Sequence, residues 1–230
     1  MAYIKYKNQK FKYNFCPLYE GIKELDKDIA MRNLVTLKEV SDEYGFRFYL
    51  AYGTLLGAVR EHDFIAHDED IDLAAEYAQL DVLMAMLPKL IERGFKIARW
   101  DDRGFISIIR DNEYIDIYLF REMSPKMMIC CGEPIPRKFF DDTSTLLFLG
   151  HEFYVPNQFE ELLVFLYGND WKVPVVWNDY TPSRMKKFKA YVITYIKYYV
   201  PKCLLKPYFA RKEKKMYNKY VEKGRIQQYL

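Results

Sequence analysis

Apolar positions recur with two different spacings along the chain, and the spacing distinguishes helices from strands. Residues 18–44 carry apolar side chains at near-helical intervals among charged ones, which predicts a helix that ends at Gly45. Shorter apolar runs bounded by turn residues predict buried strands. For the first half of the chain we expect a helix at 18–44, a strand at 46–52, a helix at 55–60, a polar loop at 61–69, a strand at 70–74 and a helix at 79–93.

Strands dominate the pattern in the second half of the chain. Asn157 and Glu160 have the spacing of a capping box for a helix that ends near Tyr167, and Thr181-Pro182 has the signature of another helix start. A helix–strand–helix–strand start followed by a mostly antiparallel sheet indicates an α/β or α+β fold. The expected strands lie at 95–99, 105–110, 113–120, 127–131 and 148–155.

Three aspartates on two of the predicted strands are candidates for a metal site. Asp70 and Asp72 are two positions apart, so their side chains share one face of a strand while Ile71 and Leu73 point to the core. Asp116 lies in the middle of a later apolar strand, where an uncompensated acid is costly. If the two strands are neighbours, the carboxylates converge and repel by roughly 3 kcal/mol per pair. Mg²⁺ or Mn²⁺, hard cations that take oxygen ligands, would remove that repulsion.

The segment before these acids has the features of a phosphate-binding turn. Gly53 lets the backbone approach a phosphate closely, and the N-terminus of the following helix presents free N–H groups. The hydroxyl of Thr54 can add a hydrogen bond to such a group. Arg60 can either reach an anionic ligand or form an ordinary surface ion pair. Together with the acids, this segment indicates phosphoryl-transfer chemistry assisted by a divalent ion.

Charge is distributed unevenly along the chain. Residues 183–225 hold 14 Lys/Arg and two acids, whereas the rest of the chain holds 21 Lys/Arg and 30 acids. We therefore expect a catalytic domain at 1–182 and a basic, amphipathic helical extension at 183–230, loosely ordered from Lys206 onward. Its tyrosines beside lysines suit an anionic membrane surface, with a solvated tail as the alternative. Nucleic-acid binding is not expected, because no recognition module is visible.

Cysteine content and the N-terminus indicate a cytoplasmic protein. The four cysteines have neither a CxxC spacing nor a histidine cluster beside them, which indicates reduced thiols. The first twelve residues carry four lysines and no apolar signal core. We expect a cytoplasmic chain that can also lie peripherally on the inner face of the membrane.

Three segments together resemble the LicD family, which includes fukutin and fukutin-related protein. The longest is residues 49–73, YLAYGTLLGAVREHDFIAHDEDIDL, and the single-acid strand at 114–120 and the segment YGNDWKVP at 167–174 agree with it. The resemblance extends over about residues 23–174. It departs in the loop, where Ala66-His67 stand in place of the usual Pro-Trp, and His67 is there either an acid–base group or a solvated partner of the acids.

The resemblance implies a nucleotidyltransferase-like α+β fold, with a mixed sheet flanked by helices. It also implies transfer of phosphocholine, or a similar polyol phosphate, from a CDP-linked donor to a hydroxyl of a cell-surface glycan in lipopolysaccharide or capsule, free or lipid-linked. True nucleotidyl transfer and a non-catalytic membrane-surface protein are the alternatives. By position, the metal would be held by Asp70, Asp72 and Asp116, and Asp68 would be a further ligand or a base. The donor phosphates would be faced by Gly53, Thr54 and Arg60. A substrate pocket would be lined by Tyr167 and Trp171, unless Trp171 is a core anchor.

Overall fold

The computed structural model describes residues 2–13, 24–66, 68–174 and 184–226. A seven-stranded mixed sheet and two hairpins account for its strands. The strands are β1 (Ala2–Tyr6), β2 (Gln9–Tyr13), β3 (Tyr49–Leu50), β4 (Ile71–Glu76), β5 (Lys96–Asp101), β6 (Phe105–Arg110), β7 (Glu113–Ser124), β8 (Met127–Cys130), β9 (Glu133–Pro136), β10 (Thr143–Phe148) and β11 (His151–Pro156).

Seven α-helices and one short 3-10 helix, Tyr77–Gln79, accompany the strands in the described ranges. Helix bounds are α1 (Lys27–Tyr44), α2 (Tyr52–Arg60), α3 (Leu80–Glu92), α4 (Lys138–Asp141), α5 (Phe159–Tyr167), α6 (Arg184–Tyr199) and α7 (Lys202–Glu222). Helix α1 begins where the side chain of Asp26 accepts a hydrogen bond from the N–H of Ile29, and it ends at Gly45 in the left-handed conformation (φ 73°), as predicted.

The central sheet has the strand order β3-β4-β7-β6-β5, and β8 and β9 extend it from β7. Strand β4 pairs in parallel with β7, and the other pairs of this sheet are antiparallel. A parallel pair needs a long crossover, which here contains α3, β5 and β6. The mixed sheet flanked by helices confirms the predicted α+β fold.

The core lies between the sheet and helices α1 and α3. Leu34 of α1 and Leu83 of α3 are completely buried, as are Ile71 and Leu73 of β4 and Ile115 of β7. The isoleucines at the two strand starts are register partners, so the parallel pair presents one continuous apolar face. Because side chains alternate along a strand, the residues between them face the opposite side of the sheet.

Three predicted boundaries before β4 are wrong. The first helix does not begin at residue 18: positions 24–26 are non-helical, and the chain before them lies outside the described residues. The strand expected at 46–52 is only Tyr49–Leu50, and α2 begins at Tyr52 instead of residue 55. The reason is that Ala51 already accepts the first helical hydrogen bond, from the N–H of Leu55.

Two predictions near the end of the domain are also wrong. Residues 148–155 do not form one strand, because Leu149 and Gly150, both with positive φ, make the turn between β10 and β11. The capping box does not form either. The amide of Asn157 donates to Asp142, and α5 starts after Gln158, which makes no side-chain cap hydrogen bond.

The basic extension is helical beyond Lys206, so the loose order expected there is wrong. Helix α7 packs on the sheet and on α5: Glu213 pairs with Arg121 of β7, and the ring of Tyr220 stacks on that of Phe165 of α5 with centroids 6.3 Å apart. These contacts were invisible in the sequence because their partners lie far away along the chain. Thr181 and Pro182, the predicted helix start, lie outside the described residues. Within the described ranges, no helix has both the length and the apolar character needed to cross a bilayer.

Candidate active site

The carboxylates of Asp70, Asp72 and Asp116 converge. Asp72 and Asp116 are register partners on the parallel strands β4 and β7, and Asp70 lies just before β4. One oxygen from each residue lies within 4.8 Å of the others. The two strands are therefore neighbours, and the predicted convergence of the three carboxylates is confirmed.

Two residues that the sequence analysis did not select hold Asp116 in place. The guanidinium of Arg99 donates a hydrogen bond to Oδ2 of Asp116 at 2.6 Å, and the hydroxyl of Ser107 donates to Oδ1. Arg99 also donates to the Ser107 hydroxyl at 2.8 Å. A buried serine within the apolar strand β6 was the signal that could have pointed to this contact.

Burial raises the pKa values of all three carboxyl groups, and repulsion from neighbouring carboxylates adds to it for Asp70 and Asp72. Burial is the largest cause for each of them. Asp116 and Asp68 further raise the pKa of Asp70, to about 7, and Asp70 and Asp116 raise that of Asp72 well above its usual range. For Asp116, Arg99 and Ser107 oppose the effect of burial. When the three carboxyl groups are ionised, the single positive charge of Arg99 does not balance them.

The donor set suits a divalent ion. Three carboxylate oxygens in mutual reach are ligands that Mg²⁺ and Mn²⁺ prefer, and burial raises the pKa of each of these groups by disfavouring its charged form. A bound cation would favour the ionised forms. The site can therefore hold a metal ion, whose identity the residues do not distinguish.

Asp68 lies beside this cluster and against Gly53. Its Oδ2 is buried and has no hydrogen-bond partner among the described residues, whereas Oδ1 accepts from the N–H of Glu69 at 3.1 Å. Burial, with the charge of Glu69, raises the pKa of Asp68 to about 6. A Cβ atom on Gly53 would lie 2.6 Å from Oδ2, so the glycine makes room for the carboxylate. The neighbouring His67 lies outside the described residues.

The start of α2 is connected to β4 by two hydrogen bonds. The backbone N–H of Gly53 donates to the carboxylate of Asp72, and the hydroxyl of Thr54 accepts from the N–H of Asp72 at 2.9 Å. Thr54 is only 1% exposed. We therefore assign Thr54 the role of holding β4, since little of it is left to contact a phosphate.

Arg60, Tyr167 and Trp171 meet at the end of α2. The guanidinium of Arg60 donates to the carboxylate of Glu61 at 2.7 Å and to the backbone carbonyl of Trp171 at 3.2 Å. Trp171 is buried in the core, so it has the role of a core anchor and not that of a pocket residue. Tyr167 is 39% exposed, and burial together with the charges of Asp72 and Asp68 raises the pKa of its hydroxyl. Of the two aromatic residues, Tyr167 is the one available to a ligand.

A second acidic group near the cluster was also missed. Glu133, on β9, accepts a hydrogen bond from the hydroxyl of Tyr52 at 2.9 Å. The ring of Tyr52 packs on that of Tyr118, whose centroid is 4.9 Å away, and the charges of Asp72 and Asp116 add to burial in raising the pKa of Tyr118. No sequence spacing connects Tyr52, Tyr118 and Glu133, because they lie on one helix and two different strands, α2, β7 and β9.

Two parallel strands bring three carboxylates together beside a helix N-terminus, which is the arrangement expected of a nucleotidyltransferase-like domain. The family model described as "LicD/FKTN/FKRP, nucleotidyltransferase domain" matches residues 45–158. The chain therefore carries a LicD-family nucleotidyltransferase domain, and the resemblance seen in the sequence is confirmed.

One curated relative and two solved structures are similar to this chain. "Uncharacterized protein RT0683" of Rickettsia typhi (strain ATCC VR-144 / Wilmington) is 26% identical over 102 residues, 44% of this chain and 32% of that protein, so the match spans about a third of the relative. The solution structure of the antibiotic-resistance factor ANT(2'')-Ia has a TM-score of 0.47 at 14% identity, over 86% of this chain and 94% of that chain. The lincomycin-bound lincosamide antibiotic adenylyltransferase LnuA has a TM-score of 0.43 at 13% identity, over 69% and 94%.

Proposed function

We propose that this protein is a divalent-metal-dependent transferase that moves a phospho-alcohol, such as phosphocholine or a polyol phosphate, from a CDP-linked donor to a glycan hydroxyl. The observation that carries the proposal is the convergence of Asp70, Asp72 and Asp116 to within 4.8 Å. The hydrogen bonds from the start of α2 to Asp72 support it, because they place a helix N-terminus beside the acids. The match to the LicD family supports a nucleotide-linked donor, and the resemblance described above is the reason for proposing CDP as the nucleotide.

The three aspartates would hold Mg²⁺ or Mn²⁺, which supplies charge neutralisation at the donor phosphates when bound. The residues of the chain bind and orient the reactants. Arg99 and Ser107 fix the direction of the Asp116 carboxylate. Arg60 places a positive charge close to Tyr167. The carboxylates of Asp68 and Asp72 are close enough to the same tyrosine to raise the pKa of its hydroxyl.

The proposed reaction is an in-line displacement at phosphorus. The acceptor oxygen bonds to the phosphorus that bears the alcohol, the bond from this phosphorus to the bridging oxygen of CMP breaks, and CMP leaves with the electron pair. The proton of the acceptor hydroxyl needs a base. Asp68 is our candidate, because its Oδ2 has no hydrogen-bond partner in the described part of the chain and its pKa of about 6 leaves it ionised at neutral pH.

Thermal shift tests the proposal without knowledge of the acceptor. We expect one of CDP-choline, CDP-ribitol or CDP-glycerol, together with Mn²⁺, to raise the melting temperature, since a ligand at 100 times its Kd stabilises the native state by about 2.7 kcal/mol. Nucleoside triphosphates serve as competitors for the same site. Asp72→Asn should abolish the Mn²⁺-dependent shift, whereas Asp141→Asn, which changes an exposed carboxylate, should retain it. An equal shift in both variants would contradict the proposal.

Mass spectrometry of the product separates phospho-alcohol transfer from nucleotidyl transfer. Both reactions use the same carboxylates, but the acceptor gains the mass of the phospho-alcohol in the first and that of the nucleotide in the second. We expect CMP to be released and the phospho-alcohol mass to be added. Release of the free alcohol phosphate, with the nucleotide attached to the acceptor, would replace our proposal by nucleotidyl transfer.

A further inference from the structure

Helix α6 exposes an apolar stripe to solvent. At 3.6 residues per turn its exposed apolar side chains fall within an arc of about 140°. Met185 is 81% exposed, Phe188 69% and Tyr199 54%. A continuous exposed stripe indicates a docking surface, unlike apolar residues scattered singly. The stripe consists of Met185, Phe188, Tyr191, Tyr195, Ile196 and Tyr199.

Helix α7 has one face on the body of the protein and one face outward. The guanidinium of Arg103 lies 4.7 Å from the ring centroid of Phe209, and Glu213 and Tyr220 follow on the same face with the contacts described above. The opposite face begins with Leu204, 69% exposed, and Tyr208, 45% exposed. At the same helical spacing it continues with the exposed residues Arg211 and Lys215. Helix α6 thus presents an apolar stripe to solvent, and the outward face of α7 is apolar at its start and basic farther along.

The charge on these two helices is strongly one-sided. Of the acids on α6 and α7, Glu213 is committed to its ion pair with Arg121, and Glu222 is exposed near the end of α7. The exposed bases that the structure describes here are Arg184, Lys189, Lys206, Arg211, Lys212, Lys214, Lys215, Lys219 and Lys223. A partner for this surface must therefore combine a negative charge with an apolar layer that buries aromatic and aliphatic side chains.

We propose that the stripe of α6 and the outward face of α7 bind an anionic lipid bilayer. An amphipathic helix buries its apolar face at the boundary between headgroups and acyl chains, and basic residues beside it meet anionic headgroups. Tyrosine is well suited to that interface. A second copy of this chain fits less well, because two such basic faces would repel each other. RNA fits less well, because it offers nothing to bury Met185, Ile196 and Leu204.

Vesicle co-sedimentation of the full chain tests the proposal. We expect the protein to sediment with vesicles of phosphatidylcholine plus phosphatidylglycerol, and much less with phosphatidylcholine alone or at high salt. The double variant Phe188→Ser/Ile196→Ser should weaken binding at least about tenfold, and so should Arg211→Glu/Lys215→Glu. The result that would overturn the proposal is equal binding of these variants and the unchanged chain, or no binding to anionic vesicles.

Matched controls separate this surface from general stickiness. Leu147→Ser removes an apolar side chain that is 68% exposed on β10, and Lys96→Glu/Lys126→Glu reverses two exposed charges on the body. Both controls should bind vesicles as the unchanged chain does, and circular dichroism should show the same helix content in all variants. Light scattering completes the test. A dimer that Phe188→Ser/Ile196→Ser dissociates, without vesicle binding, would assign the surface to self-association instead.

Discussion

Four carboxyl groups at the candidate site lower the free energy of unfolding when they are ionised and no cation is bound. Asp68, Asp70, Asp72 and Asp116 have raised pKa values because burial disfavours their charged forms. A protein keeps such a cost where function requires it, and a divalent ion is the simplest compensation.

The first prediction concerns the pH dependence of the metal-free protein. The pKa of Asp70 rises from 3.8 to about 7 on folding. Between about pH 4 and about pH 7 the native state therefore holds a proton that the unfolded chain has lost, so stability falls across this window and the contribution is gone above about pH 7. In EDTA, Asp70→Asn should raise the free energy of unfolding by at least about 1 kcal/mol at about pH 8, and by less at about pH 5.

Urea unfolding at the two pH values measures this effect, with Glu152→Gln as the control because that side chain is exposed. Saturating Mn²⁺ should reverse the order at the higher pH, since the unchanged chain then gains the binding free energy that the variant loses. A metal-free protein in which Asp70→Asn destabilises equally at both pH values would contradict the argument.

The second prediction concerns Arg99, which positions Asp116. Arg99→Met leaves the buried Asp116 carboxylate without its charged donor, so the metal-free protein should lose about 2 kcal/mol at neutral pH. The loss should shrink at acid pH, where Asp116 is protonated. Arg99→Lys keeps the charge and should retain most of the stability. Equal losses in the two variants, independent of pH, would indicate that Arg99 acts only through packing.

At the scale of elements, the site depends on how the start of α2 meets β4. Thr54 and Gly53 bind the backbone and the side chain of Asp72, respectively. Gly53 and Gly57, one turn apart in α2, both face the 61–69 loop closely, but they meet different atoms. An added Cβ would reach the Asp68 carboxylate from Gly53 and the backbone carbonyl oxygen of Asp63 from Gly57.

The third prediction uses this difference. A side-chain carboxylate can move aside and a packed backbone cannot. Gly53→Ala should therefore keep the free energy of unfolding within about 1 kcal/mol of the unchanged chain but weaken the donor-dependent thermal shift, because Asp68 is displaced. Gly57→Ala should lower the melting temperature itself. If Gly53→Ala binds the donor normally, the position of Asp68 is unimportant for binding.

At the scale of the whole molecule, the basic extension is part of the folded structure and covers β9. The backbone of Gly132, in the turn before β9, lies under Glu213 of α7. A Cβ there would lie 2.8 Å from the Cα of Glu213, and φ is +96°. This close approach sets the distance between α7 and the sheet.

The fourth prediction tests that contact. Gly132→Ala should loosen α7 and speed hydrogen exchange and proteolysis across 202–222, with a loss of more than about 1 kcal/mol. Gly150→Ala is the matched control, since its φ is +85° but a Cβ there meets nothing within 4 Å. The backbone strain is common to both variants, so faster exchange in α7 should occur only in Gly132→Ala. Equal protection of α7 in the two variants would argue against the packing.

Local spacing in the sequence determined which face each residue occupies. The two-residue spacing of Asp70 and Asp72, and the place of Asp116 among isoleucines, were enough to predict which way these side chains point, and Gly45 was enough to predict a helix end. The segment around Gly53 was sufficient to indicate the family. All of these features are properties of a single short segment.

Only the tertiary structure decided which segments meet. Four features of the fold each join residues that are distant along the chain. They are the parallel pairing of β4 with β7, the hydrogen bonds from Arg99 and Ser107 to Asp116, the burial of Trp171 and the packing of α7. The strand predicted at 46–52 is shorter for the same reason, since β4 pairs with Tyr49 and Leu50 alone among these residues. A buried polar group must find a partner somewhere in the fold, and its identity depends on packing that no local period encodes.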